Sequence, residues 1–316
     1  MERQIRPATL LDLVSLGMPP QVSLHLDLVQ HLVFPYHPWR GLLTSFLHLG
    51  KPSCTLLCRQ GGKLLACAQA RESRQRGTWE VGYLGSWATG EEACDPWEEL
   101  LRSLGVEAGR RGQMRILARL PEEEHLELFQ RAGFAPFAQE MILLWEGNGR
   151  PEVATWPEPQ PLQAGALAAV QGLYAGLTPP IVQQVEPREP AFWQVGPGEE
   201  AWVWPEQDRV RAYLRCERGG RGTRLEVLLE PAFRQHSLAV LAWGLKRASS
   251  PVYLVLRSYQ GELLEVARRL GFRPYGEQVL LARSLAVRVE QRQALPGRRA
   301  GAPLGAAPST PSLGKI

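Results

Sequence analysis

The sequence predicts an α+β chain of two like domains, each a central mixed β-sheet flanked by helices. Three observations carry this. Residues Met114 to Leu144 and Val252 to Ala282 align without a gap at an offset of 138, with nine of 31 positions identical. Self-similarity at so long a period marks two copies of a whole domain rather than a short-repeat solenoid. The 316 residues suit two domains of ordinary size. Each half also shows strand and helix patterns in the same order.

The first half opens with a short strand at Gln4–Arg6, a turn, and a helix near Leu10–Leu16. Helical patterns follow over about Val22–Val33 and Trp39–Leu49. Cys54–Arg59 and Lys63–Arg71 are apolar runs separated by Gln60-Gly61-Gly62, which signals a hairpin. Thr78–Trp87 reads as the next strand. Asp95-Pro96-Trp97-Glu98 combines a cap residue, a proline suited to the first turn, and a glutamate three residues after the cap, so a helix is expected to about Val106. A strand at Met114–Ala118, a helix at Glu122–Ala132 closed by Gly133, and a strand at Phe137–Trp145 complete the half.

Asn148–Pro161 reads as a proline-rich linker. The order then repeats. A helix is expected at Ala164–Tyr174, with strands near Ala201–Trp204, Val210–Cys216 and Arg224–Leu229. Helix Phe233–Ala248, strand Val252–Leu256, helix Gly261–Leu270 and strand Glu277–Arg283 follow. The tail from 289 to 316 is rich in Gly, Pro, Ala and Ser without apolar period, so disorder is expected there. The domains are thus expected at 1–147 and 162–288. In each, a strand–helix–strand crossover puts a helix N-terminus at a strand's carboxyl end, where anions bind readily.

Composition narrows the function classes. Net charge is +4, from −2 over residues 1–147 (15 basic, 17 acidic) and +6 over 148–316 (21 basic, 15 acidic). This excess is too small to predict a nucleic-acid partner, but it suits an anionic ligand in the second half. The Arg-bearing tail leaves a nucleic-acid-associated role as a minor alternative. Five cysteines form no paired framework and no zinc spacing, so reduced thiols in a cytoplasmic protein and no metal are expected. No run approaches the ~20 apolar residues of a membrane helix, and the N-terminus has no signal-peptide pattern. No nucleophile elbow, P-loop or dinucleotide fingerprint is present.

The segments Phe129-Gln130-Arg131-Ala132-Gly133-Phe134-Ala135-Pro136 and Ala267-Arg268-Arg269-Leu270-Gly271-Phe272-Arg273-Pro274 resemble the GNAT N-acetyltransferase superfamily, here as a tandem pair. Ile5 to Leu13 is similar to that family's first strand and its turn into the first helix. The resemblance implies acetyl-CoA as a substrate and a small-molecule or peptide amine as acceptor. It also implies that the diphosphate of acetyl-CoA meets an Arg/Gln-x-x-Gly-x-Gly/Ala turn opening the central helix. In the second half that turn corresponds to Arg234, Gln235, His236, Ser237, Leu238 and Ala239, with Ser237 where glycine is usual. The preceding strand residues Leu228 and Leu229 join the expected cofactor contacts. In the first half Glu91, Glu92, Asp95 and Glu98 crowd the equivalent helix start and should repel phosphate. That copy is not expected to bind the cofactor.

The family resemblance also places a glutamate on the strand before the central helix as a base. Glu80 and Glu226 hold that position in the two copies. The family's tyrosine acid is replaced by Phe129 and Ala267, and Tyr259 is the substitute that the second half offers. Glu226 and Tyr259 are therefore the catalytic candidates. Two readings stay open: an N-acetyltransferase acting through its second half, and a non-catalytic binding or regulatory module on the same fold. Glu80 and Glu226 as solvated strand residues, Arg234 as an ordinary surface arginine and Tyr259 as a packed loop aromatic are the plain alternatives to these roles.

Overall fold

The computed structural model describes residues 2–34, 53–121, 123–147, 158–207 and 209–285, together with Trp39 and Leu43. The expected tail and most of the expected linker lie outside these residues. So does the helix expected at Trp39–Leu49, save Trp39 and Leu43, which are helical.

The first half runs β1 (Arg3–Pro7), α1 (Leu13–Gly17), β2 (Val22–His25), α2 (Leu28–Val33), β3 (Ser53–Gln60), β4 (Lys63–Glu72), β5 (Thr78–Ser86), α3 (Asp95–Arg110), β6 (Arg115–Leu120), α4 (Leu126–Arg131) and β7 (Ala135–Trp145). The second runs β8 (Gln160–Pro161), α5 (Leu167–Leu177), α6 (Pro180–Val185), β9 (Glu199–Glu206), β10 (Arg209–Gly219), β11 (Gly222–Leu229), α7 (Ser237–Arg247), β12 (Val252–Arg257), α8 (Glu262–Arg269) and β13 (Arg273–Ser284). Gly133 and Gly271 both sit at φ +89 after α4 and α8. That left-handed conformation is the reason glycine closes both helices.

The strand order is β1-β3-β4-β5-β6-β13-β7-β12-β11-β10-β9-β8, with β2 against β5. The two halves therefore share one continuous sheet. They also exchange their last strands: β13 pairs with β6 of the first half, and β7 pairs with β12 of the second. The apolar cores follow the exchange. Val279 and Leu281 of β13 are buried among Trp97, Leu101 and Phe129 of the first half. Leu143 of β7 is buried among Leu254, Leu241 and Phe272 of the second. At the centre β7 and β13 run antiparallel with Glu140 opposite Gln278. These residues are 138 apart, the repeat offset, so a pseudo-twofold axis passes between them.

Two short helices cross the same boundary. Val29 and Val33 of α2 pack on Ile142, Leu144, Tyr253 and Val255. A Cβ at Gly219 would lie 2.2 Å from the Val33 carbonyl oxygen, so only glycine admits α2 there. In the other direction, Arg115 Nη1 donates to the Gln184 carbonyl at the end of α6 at 2.9 Å.

Several elements differ from the sequence reading. Val22–Val33 is not one helix. Its apolar residues alternate with period two through Leu24 and Leu26, and only afterwards with helical period. The change falls at Asp27, which sits at φ 67. Its N–H donates to the Arg119 carbonyl at 2.9 Å and its carboxylate accepts from Gln30 N at 3.1 Å, which starts α2. Asp95 is the first residue of α3 rather than its cap, because a 3-10 turn over Glu91–Cys94 precedes it. The end of the expected linker, Gln160–Pro161, pairs with β9.

Cys54, Cys58, Cys67 and Cys216 are buried and all five cysteines are free. Burial pushes the Cys67 thiol up to about 12, and the Cys54 and Cys216 thiols up to about 11. A thiol so rarely ionised is a poor nucleophile. Ellman's reagent is expected to leave these four unlabelled in the folded protein and to label all five in urea. Fast native labelling of any of the four would contradict this packing.

Candidate functional site

Strands β11 and β12 pair in parallel only over Thr223–Glu226 and Val252–Val255, and then fork. The alternation of β11 decides what the fork presents. Leu225, Val227 and Leu229 face the core under α7. Leu228 faces the opposite way, toward Val170, Tyr174 and Tyr213. Glu226 shares that second face by the strand's period of two. Glu226, Leu228 and Tyr259 line one narrow cavity at the fork, with about 20 Å³ open to water. That is space for about one water molecule. Gln260 bridges the fork: its Nε2 donates to the Val227 carbonyl at 2.8 Å, and its Oε1 accepts from Arg257 N at 3.0 Å.

Beyond β11 the chain enters a 3-10 helix, Pro231–His236, and then α7. The turn that aligns with a cofactor loop is thus already wound, and the N–H of Ser237 is turned back to the Arg234 carbonyl. Arg234 is more than half exposed and lies 3.2 Å from Glu262. His236 packs at a tilt against buried Phe233 at 4.5 Å between ring centroids and contacts Gln235 at 3.1 Å. Ser237 and Ala239 are buried, Leu238 is half-buried, and Leu229 is in the core. The side chains at the head of α7 that reach solvent are therefore those of Arg234, Gln235 and, in part, His236 and Leu238.

The parallel registers confirm that Glu80 and Glu226 are equivalent. Glu80 lies opposite Leu117 and Glu226 opposite Val255, and these two partners are again 138 apart. Their surroundings differ. Glu80 accepts from Ser73 Oγ at 2.8 Å and lies 3.6 Å from Arg119. Glu226 accepts from Arg188 Nη1 at 2.5 Å. Burial alone would raise the Glu226 carboxyl, but Arg188, Arg215 and Arg224 hold it well below the usual carboxylate range. Arg188 is correspondingly raised, against its burial, by Glu226 and Glu186.

The first-half fork is built differently. Strand β5 pairs with β6 over Thr78–Val81, and on the same edge with β2 over Tyr83–Ser86. The gap between β5 and β6 is therefore filled by the chain's own backbone. Leu26 N donates to the Gly82 carbonyl at 3.1 Å and Gln21 N to that of Ser86 at 2.8 Å. At the head of α3, Glu98 is bound to Arg102 and Arg131, which hold its carboxyl below the ordinary value.

Between the halves lies a charged cluster that sequence reasoning missed. Glu140 and Glu186 are almost fully buried, and both bind Arg257, at 3.0 and 2.7 Å. Arg119 stands 3.6 Å from each of Asp27, Glu80, Glu140 and Glu186. Gln278 Nε2 donates to Glu140 at 2.5 Å across the pseudo-dyad. One sequence signal was available: Arg119 and Arg257 are an identical pair in the repeat.

No protein-family model matches the chain, and no curated protein matches it in sequence. Solved structures do match. A GCN5-related N-acetyltransferase from Sphaerobacter thermophilus aligns at TM-score 0.53 and 16% identity, over 89% of this chain and 95% of its own. A tandem GNAT protein from the clavulanic acid biosynthesis pathway aligns at 0.50 and 14%, over 90% and 98%. A putative acetyltransferase from Pyrococcus horikoshii aligns at 0.52 and 13%, over 90% of each chain. The chain has the tandem GNAT fold.

Within that GNAT fold the sequence-derived candidates fall into two groups. Glu226, Tyr259 and Leu228 come together in the second fork. Arg234 to Ala239, with Leu229 behind them, form the head of α7 at the fork's outer end. Among the described residues no cluster of His, Cys, Asp and Glu has the makings of a metal site, and no helix is long and apolar enough to cross a membrane.

Proposed function

We propose that the chain is an acyl-CoA-dependent N-acetyltransferase that moves acetyl from acetyl-CoA to an amine through its second half. The observation that carries this reading is the pairing of Glu226 with Tyr259 in one cavity, at a fork whose outer end is the Arg234-bearing head of α7. The acetyltransferases that share the fold support it. Arg234 would hold the diphosphate, and the amides opening α7 would join it as the Pro231–His236 turn, which ties the Ser237 N–H to the Arg234 carbonyl, unwinds. The thioester arm would enter between β11 and β12, displacing the Gln260 amide from the Val227 carbonyl.

In the transfer, the amine nitrogen attacks the thioester carbonyl, the carbon–sulfur bond breaks, and the thiolate leaves. Glu226 stays ionised at neutral pH, so it suits holding the acceptor's ammonium and passing its proton to water rather than storing it. Tyr259 would give a proton to the thiolate. The first half, residues 1–147, is proposed not to bind the cofactor, because β2 occupies its fork and acidic residues head α3. A measured CoA contact anywhere in Gly90–Leu101 would refute that. Five free cysteines suit the cytoplasm, which is the proposed location.

Isothermal titration with acetyl-CoA tests the reading. Binding is expected, and Arg234→Ala should weaken it roughly tenfold, the equivalent of about 1.4 kcal/mol. Glu98→Ala in the first half should leave it unchanged. The absence of heat at high concentration would sink the proposal.

A second reading, a non-catalytic GNAT-fold module, is favoured by two contacts: the Arg188–Glu226 pair and the Gln260 bridge, which leave the fork nearly closed. Release of thiol from acetyl-CoA with any member of an amine panel would eliminate it.

A further inference from the structure

The cavity between the two halves, about 240 Å³, is walled by strands from both. It is smaller than the roughly 300–1,000 Å³ pockets of drug-sized ligands. One of its side chains is out of balance with the rest. Arg71 and Arg215 are equivalent across the repeat, since each lies opposite the equivalent glutamate, Glu80 or Glu226. In the first half Arg71 keeps its glutamate at 3.7 Å. In the second half Arg188 takes Glu226, and among the described residues no carboxylate lies within 4.0 Å of Arg215.

Arg215 is nevertheless 2% exposed. It donates to the Phe192 carbonyl at 3.1 Å and lies against the Phe192 and Tyr213 rings at 5.5 and 5.8 Å. Its Nε is without a partner. Arg74 borders the same cavity, and its pKa is lowered first by burial and then by the charge of Arg215. Arg74 at least has Glu199 and Glu217. A buried guanidinium that feels Glu226 only at a distance, beside a second guanidinium, is costly unless an anion joins them.

We propose that this cavity binds a small carboxylate, with Arg215 as its anchor and Arg74 beside it. Among the described residues Arg215 is the cavity arginine without a carboxylate within 4.0 Å, and its fork geometry matches a carboxylate. A phosphate dianion would set a second charge against Glu217 and Glu226. The cavity shares the side chains of Arg188, Arg224 and Glu226 with the fork that holds Tyr259. Resting on the acetyltransferase reading, the carboxylate therefore belongs to the acceptor: a small amino acid, its carboxylate on Arg215 and its amine toward Glu226.

The test is a thermal-shift and titration series on the full chain with L-alanine, propionate, ethylamine and inorganic phosphate, up to roughly 50 mM, where even a millimolar site fills. L-alanine and propionate are expected to bind, ethylamine and phosphate at least tenfold more weakly. Arg215→Gln should abolish the carboxylate response. Without ligand, Arg215→Met should raise the melting temperature, because it removes a buried charge that has no close ion pair, whereas Arg188→Met should lower it by removing the direct bond to Glu226. The proposal is overturned if neither carboxylate binds, if phosphate or ethylamine matches them, if Arg215→Gln responds as the parent does, or if Arg215→Met destabilises as Arg188→Met does. A parallel acetyl-CoA titration separates the two claims. Carboxylate binding without acetyl-CoA binding keeps the pocket and drops the transferase, while acetyl-CoA binding without a carboxylate response drops the pocket.

Discussion

Residues 1–147 expressed alone are expected not to fold, and neither are residues 158–285. The reason is the exchange of β7 and β13. Without β13 the first half loses Val279 and Leu281 from its core and leaves the inner edge of β6 unpaired. Without β7 the second half loses Leu143 and Trp145, and the edge of β12 is open. An open apolar edge also invites aggregation. Circular dichroism and amide NMR on the separate and mixed segments check this, with native signals expected only on mixing. Within the whole chain, Leu281→Ala should cost about 2–5 kcal/mol and shift a single transition shared by both halves. A cooperatively folded 1–147 segment, or two independent transitions, would refute the exchange.

The second large effect is expected at Glu140. Its carboxylate is 2% exposed and binds Arg257 and Gln278, with Arg119 beside it. Glu140→Ala strands buried guanidinium groups and should cost about 3–5 kcal/mol, a large share of the roughly 5–15 kcal/mol of a folded domain. Urea unfolding measures it. The pH dependence carries the same information. Burial would raise the Glu140 carboxyl, but Arg257, Arg119 and Arg224 lower it below its ordinary 4.5. A carboxyl lowered on folding contributes stability that is fully present above its unfolded value and lost as pH falls through its folded one. Glu140→Gln should therefore flatten the fall in stability below about pH 4.5. A cost under ~1 kcal/mol for Glu140→Ala, typical of an exposed pair, would show that the cluster contributes little.

Much of the local structure was legible. Gly61-Gly62, Gly133 and Gly271 marked a turn and two helix ends because only their backbone freedom suits those points. The equivalence of Glu80 and Glu226 followed from the resemblance, and the strand registers agree with it. The exchange of strands was not legible, for a physical reason. β7 and β13 carry the same alternation, so their apolar pattern does not say which of them lies beside β6 and which beside β12. β2 was misread because Val22–Val33 changes period at Asp27, and a short window averages the two periods. The site was half visible. Arg234 could be aligned with a known pattern and Tyr259 offered as a substitute for a missing tyrosine, but Arg188 and Arg215 acquire meaning only through the glutamate for which one of them wins the contact.

The exchanged strands also set an order of events during synthesis. β13 is translated one repeat offset, 138 residues, after the segment it resembles. At roughly 5–20 residues per second the nascent first half waits about 7–28 s on the ribosome with its central edge bare. The half that is made first is thus completed last, and through that interval it is the part of the molecule most dependent on chaperones.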